Sequence, residues 1–104
     1  MPPSEETLKA FCRYASLAGE RTLSAKSALV LHHYDADGIA SAAIIALAFK
    51  AKATPFEMLA VRRMDDAVLR QAARSDAEAI VIADVGSDRL NELNSMARLG
   101  KTVA

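Results

Sequence analysis

The sequence predicts an α/β protein in which a parallel sheet carries helices on both faces, a doubly wound fold. The apolar runs ALVL at residues 28–31 and AIVIA at 79–83 are typical of strands that are buried on both faces. Segments with helical spacing alternate with these strands, which favours right-handed crossovers in one sheet. We therefore expect a single domain, with a helical lead-in at 1–27 and a βαβαβα core at 28–104.

The first helix is predicted to begin after Ser4, a good N-cap residue that two glutamates follow. Apolar residues recur at helical spacing from Leu8 to Ala18, so we expect an amphipathic helix that covers the sheet and ends at Gly19. Cys12 lies on this apolar face and is expected to be a core thiol. It is the only cysteine, which excludes an internal disulfide and suits a reducing compartment such as the cytoplasm.

The core elements follow in order. Gly38 is expected to break the first strand and to start an apolar helix with the sequence IASAAIIALAF. A second strand is predicted within PFEMLAVRRM, and Asp65 and Asp66 are expected to begin the third helix. The fourth helix is expected to stop at Gly100, after which KTVA begins another strand.

Charge and hydropathy exclude some classes of partner. The chain has 13 basic and 13 acidic residues, so no overall field attracts a polyanion, and a phosphate-bearing partner would need local contacts. The N-terminal MPPSEETLKAF has acidic residues and no long apolar run, and the run at 39–49 is too short to cross a bilayer. We expect neither a signal peptide nor a membrane span.

Potential metal ligands stand at the ends of two predicted strands. If the chain stays extended, alternation places His33, Asp35 and Asp37 on one side. Asp84 ends another strand, and if the two strands are neighbours it meets them at the carboxyl rim, where open α/β sheets bind ligands. Carboxylates this close repel one another unless a cation lies between them, and oxygen donors with one imidazole suit manganese or magnesium. Two neighbouring side chains face the other way and are expected to pack inside the protein: His32 and Tyr34.

The segments HYDADGIASA at 33–42 and IADVGS at 82–87 resemble the first two motifs of the DHH phosphoesterase superfamily, which includes RecJ-like single-strand exonucleases. The resemblance implies a manganese-dependent phosphodiester hydrolase with a two-metal site, acting on single-stranded nucleic acid or short oligonucleotides. It implies that His33 and Asp35 hold one metal, that Asp37 holds the other, and that Asp84 bridges both. The three aspartates are thus the candidate catalytic residues.

The Asp-His-His motif that names the superfamily does not occur in the sequence. We therefore expect the N-terminal portion of an incomplete DHH domain that is inactive alone and self-associates through its truncated sheet. Substrate phosphate contacts are predicted at the start of the second helix and after the second strand: Gly38, Ser41, Arg62 and Arg63.

Two other functions fit the same residues. In a haloacid-dehalogenase-type phosphatase, Asp35 would be the nucleophile and Asp37 the acid/base, although His33 would then have no role. The other alternative is a non-catalytic RecJ-like scaffold of a replication complex.

Overall fold

The computed structural model describes residues 4–98 and 100–104, with four helices and four strands in those parts of the chain. The helices are α1 (Glu5–Leu23), α2 (Ala36–Ala51), α3 (Asp66–Arg74) and α4 (Leu90–Arg98). The strands are β1 (Ala28–His33), β2 (Phe56–Val61), β3 (Ala79–Ala83) and β4 (Thr102–Val103). The strands pair in parallel in the order β2-β1-β3-β4, which confirms the predicted α/β fold class.

The central strand β1 divides the interior into two cores because its side chains alternate between the faces of the sheet. Leu29 and Leu31 face α3 and α4, in a cluster that includes Leu69 and Leu93. Val30 faces α2, in a second cluster that includes Phe49. Helices therefore cover both faces, as a doubly wound sheet requires.

Helix α1 differs from its prediction in length and in packing. It begins after Ser4, whose hydroxyl accepts the Thr7 amide, but it passes through Gly19 and ends only at Leu23. Its apolar side chains from Leu8 to Leu17 do not cover the sheet, since Phe11 is 69% exposed and Cys12 is exposed, and Leu23 at the end of the helix does pack against the core. The prediction of a core thiol is therefore wrong. Helical periodicity indicates where an apolar stripe lies, but it does not supply the surface against which the stripe packs.

Helices α2 and α3 begin in the same way, each with an aspartate as its N-cap. Asp35 Oδ1 accepts the Gly38 amide and Asp65 Oδ1 accepts the Val68 amide, both at 2.9 Å. The prediction for α3 is confirmed. The prediction that α2 starts at Gly38 is wrong, because the Asp35 cap starts the helix two residues earlier. Within the described residues, the structure contains no helix both long and apolar enough to span a membrane.

Candidate metal centre

The carboxyl ends of β1 and β3 meet at one rim because the two strands are parallel neighbours in matched register. Leu31 pairs with Ile82, and His32 pairs with Ala83. His33 ends β1 and Asp84 directly follows β3, so the register brings the two residues to the same edge of the sheet. Two segments that are distant in sequence thus supply one site.

The turn from β1 into α2 depends on Gly38. A Cβ at this position would collide with the carbonyl oxygen of His33 and lie 2.6 Å from its carbonyl carbon. The first turn of α2 thus rests directly on the end of β1, a fit that only a residue without a side chain allows. The same carbonyl oxygen accepts a hydrogen bond from His32 Nδ1 at 2.9 Å. His32 is buried, which confirms its expected packing.

Asp84 leaves β3 in an unusual backbone conformation. Its φ is +61°, in the left-handed region that residues with a Cβ seldom adopt, although aspartate tolerates it better than most. The conformation redirects the chain immediately after the strand, and a further left-handed residue, Gly86, follows. Such strained positions concentrate at functional sites, where the surrounding fold holds them.

Three side chains come together at this rim: His33, Asp35 and Asp84. Each offers one ligand atom, and the three atoms all lie within 4.8 Å of one another. His33 Nδ1 is 2.9 Å from Asp35 Oδ2. His33 is partly buried whereas both aspartates are exposed, so the group opens to solvent and an ion could enter.

Hydrogen bonds keep Asp35 in its charged form. The Gly38 amide contributes most to holding the pKa of the Asp35 carboxyl below its ordinary value, and the hydrogen bond and charge of His33 act in the same direction. Desolvation opposes these effects without cancelling them. A carboxylate that stays ionised into acid is a suitable cation ligand.

Asp37 is not in the group of three. The predicted alternation of His33, Asp35 and Asp37 assumes an extended chain, but Asp37 already lies in the first turn of α2. That geometric expectation is wrong because the Asp35 cap has turned the backbone into a helix. Asp37 is exposed, and its carbonyl oxygen accepts the Ser41 hydroxyl at 2.8 Å.

The predicted phosphate contacts differ in their surroundings. The Gly38 amide already donates to Asp35, and the Ser41 hydroxyl already donates within its own helix. Arg62 and Arg63 are exposed where β2 ends, beside β1. Their guanidinium groups are therefore the better candidates for contact with an anion.

Tyr34 lies between Arg62 and the group of three ligands, a position that the sequence did not suggest. Its ring meets the His33 ring edge to face with centroids 4.9 Å apart, and the Arg62 guanidinium carbon lies 5.4 Å from the Tyr34 centroid. The residue is 52% exposed, so the expectation that it packs inside the protein is wrong. Its position in the sequence, between the candidate ligands His33 and Asp35 where the chain leaves the sheet, could have indicated that it lies at the site.

No protein-family model matches the chain, and no curated protein matches it significantly. We therefore infer the function from the geometry of this centre and from the motifs.

Proposed function

We propose that this chain carries the metal-binding part of a DHH-type phosphoesterase, a RecJ-like hydrolase that cleaves phosphodiester bonds with manganese. The substrate is single-stranded nucleic acid or a short oligonucleotide. One observation carries the proposal: three ligand atoms from His33, Asp35 and Asp84 lie within 4.8 Å of one another at the carboxyl rim of a parallel sheet. The lone cysteine suits a cytoplasmic enzyme.

The donor set fits manganese and also allows magnesium. Two carboxylates and one imidazole form a hard, oxygen-rich site. Zinc sites commonly use thiolates, but Cys12 lies on α1 and is not in the group of three ligands. The carboxylates of Asp35 and Asp84 repel one another when both are ionised, and a cation relieves that repulsion. A second ion would draw on Asp37, with Asp84 shared between the two.

Each residue of the centre has a distinct task. A divalent ion, when bound, polarises a phosphoryl oxygen and lowers the pKa of a coordinated water. Asp35 holds the start of α2 through the Gly38 amide and orients the His33 ring through Nδ1. Asp84, whose backbone is left-handed, contributes a second carboxylate to the same group.

Arg62 and Tyr34 support a nucleic-acid substrate rather than a small phosphoester. The net charge of the chain is zero, so a polyanion must be held by local cations, and Arg62 lies next to the centre. A half-exposed tyrosine beside the scissile phosphate offers a surface on which a base can stack. Removing the Tyr34 ring should therefore weaken oligonucleotide binding more than it weakens manganese binding.

The geometry favours the metal hydrolase over the aspartyl-phosphate alternative. In that alternative His33 has no role, although its Nδ1 lies 2.9 Å from Asp35 Oδ2. The alternative also leaves Asp84 without a role. Beryllium fluoride separates the two, since it would form a stable adduct only with a nucleophilic aspartate.

Manganese titration followed by electron paramagnetic resonance tests the centre, because the signal of the free aqueous ion falls as the ion binds. We expect weak binding by the isolated chain, and at least tenfold weaker binding after Asp84→Asn or His33→Ala. Asp88→Asn is the matched control, because Asp88 is also exposed and close in sequence but lies outside the group. Wild-type affinity in the Asp84 and His33 variants would refute the centre.

Hydrolysis is tested with the product of the whole reading frame that encodes this chain. We expect manganese-dependent cleavage of a single-stranded oligonucleotide, abolished by Asp84→Ala without loss of the circular dichroism of the fold. Near-normal turnover by Asp84→Ala would refute its bridging role. Manganese binding without any cleavage would favour the scaffold alternative.

A further inference from the structure

Helix α2 has an apolar surface on the side that faces away from the sheet. No residue from Ile39 to Phe49 is charged, yet only part of this run packs against the sheet. Ile44 is 70% exposed and Leu47 is 67% exposed. Helices that are apolar on all sides are normally enclosed by protein, yet nothing among residues 4–98 and 100–104 covers this outer face.

Six of the exposed positions form one stripe, which we call the outer stripe of α2, and Ile39, 55% exposed, lies beside it. Successive members are three or four residues apart, or adjacent at the centre, and so lie on one side of a helix. The outer stripe consists of Ala36, Ala40, Ala43, Ile44, Leu47 and Ala51, all of which are exposed.

The outer stripe is complementary to itself when two copies run antiparallel. If the helices cross between residues 43 and 44, Leu47 of one copy lies level with Ala40 of the other, and Ile44 lies level with Ala43. Each large side chain then meets a small one, and the terminal Ala36 and Ala51 are level as well. A surface that matches itself under a twofold rotation is the requirement for a symmetric dimer.

The charges at the ends of α2 select the same orientation. The first turn carries Asp37, and the last turn carries Lys50, with Lys52 following as the C-cap. In an antiparallel pair, the acidic end of each helix lies beside the basic end of the other, and the helix dipoles oppose one another favourably. A parallel pair would instead bring like charges together at both ends.

We propose that the outer stripe of α2 is the interface of a symmetric, antiparallel homodimer of this chain. The inference does not need the proposed phosphoesterase function, because it rests on the outer face of α2 and on the charges at its two ends, although Asp37 takes part in both proposals. The helix of 16 residues is about 24 Å long, so one helix pair forms a small interface and the dimer is reversible.

Sedimentation equilibrium of the purified chain with Leu47→Glu tests the interface. We expect a monomer–dimer equilibrium in the wild type, and a dissociation constant at least tenfold higher when a charge is placed in the outer stripe. Leu90→Glu is the matched control, because Leu90 is a leucine of similar exposure, 62%, on a different helix. A monomeric wild type, or a dimer that Leu47→Glu leaves unchanged, would overturn the proposal.

Disulfide trapping tests the orientation, and it does not require a charge in the stripe. In a Cys12→Ser background, Ala43→Cys lies next to its own copy at the twofold axis and should cross-link on mild oxidation. Ala36→Cys lies about 22 Å from its own copy along the antiparallel pair and should not cross-link. Cross-linking of Ala36→Cys with itself, or none by Ala43→Cys, would contradict the antiparallel dimer.

Discussion

Asp84 joins a left-handed backbone to a carboxylate in the metal group, and two replacements separate these properties. A left-handed residue with a Cβ costs roughly 1–2 kcal/mol, and the cost is smaller for Asp and Asn. Glycine avoids this cost, and its larger loss of conformational entropy on folding offsets only part of the gain. Asp84→Gly should therefore stabilise the metal-free chain by about 0.5–1 kcal/mol. Asp84→Asn keeps a side chain that tolerates the conformation and removes only the charge.

Chemical denaturation in the presence of a chelator, and again with manganese, measures both effects. At a manganese concentration about 100-fold above its dissociation constant, the free energy of unfolding of the wild type should rise by about 2.7 kcal/mol, whereas that of both variants should rise far less. Without metal, Asp84→Gly should raise the thermal midpoint by about 2–8 °C, as expected for a domain of this size. Equal stabilisation of all three proteins by manganese would refute the ligand role, and a glycine variant less stable than wild type without metal would refute the backbone argument.

The remaining predictions concern other positions. Gly38→Ala should destabilise the chain by roughly 1–3 kcal/mol because the new Cβ meets the His33 backbone. Gly19→Ala should instead stabilise the chain by about 0.5–1 kcal/mol, because Gly19 lies inside a helix with open space around it. Denaturant titration compares the two variants, and equal effects would contradict the close approach of Gly38 to His33. The pKa of Asp35 is lowered by folding, so its charge stabilises the metal-free chain at neutral pH and this contribution disappears as the pH falls through the folded pKa. The stability difference between wild type and Asp35→Asn should therefore shrink below about pH 4, and a constant difference would be inconsistent with the shift. The exposed Cys12 should react with a thiol reagent in the native chain as fast as in the unfolded one; strong protection would mean that α1 packs against another surface.

The strands of the centre were predictable because burial on both faces leaves a direct mark on the sequence. The runs that contain Val30 and Ile80 have no polar interruption, and both side chains are fully buried. Parallel neighbours then require that their carboxyl ends coincide, which brings His33 and Asp84 together without knowledge of any side-chain geometry. Much of the site thus follows from the order of the elements.

Local backbone geometry was the part that could not be read from the sequence. Strict alternation assumes that Asp35 is one more residue of an extended chain, but an aspartate is also a good N-cap, and in the structure it starts α2 and places Asp37 on the helix. The positive φ of Asp84 has no sequence signature, since aspartate follows many strands in ordinary conformations. Gly19 was expected to end α1, but a glycine inside a helix costs too little to stop it when the flanking residues favour the helix.

The pairing of β1 with β3 also determines when the centre can form. The Glu78 amide donates to the Ser27 hydroxyl across 51 residues of chain, and the two strands begin beside this contact. Closing so long a loop is slow, because its entropy cost comes before any contact between the strands stabilises it. The side chains of His33 and Asp84 therefore cannot come together in a nascent polypeptide until β3 has been synthesised and has docked. Manganese uptake should therefore report completed folding, and a kinetic trace of ion capture during refolding should coincide with the slowest step that buries the sheet.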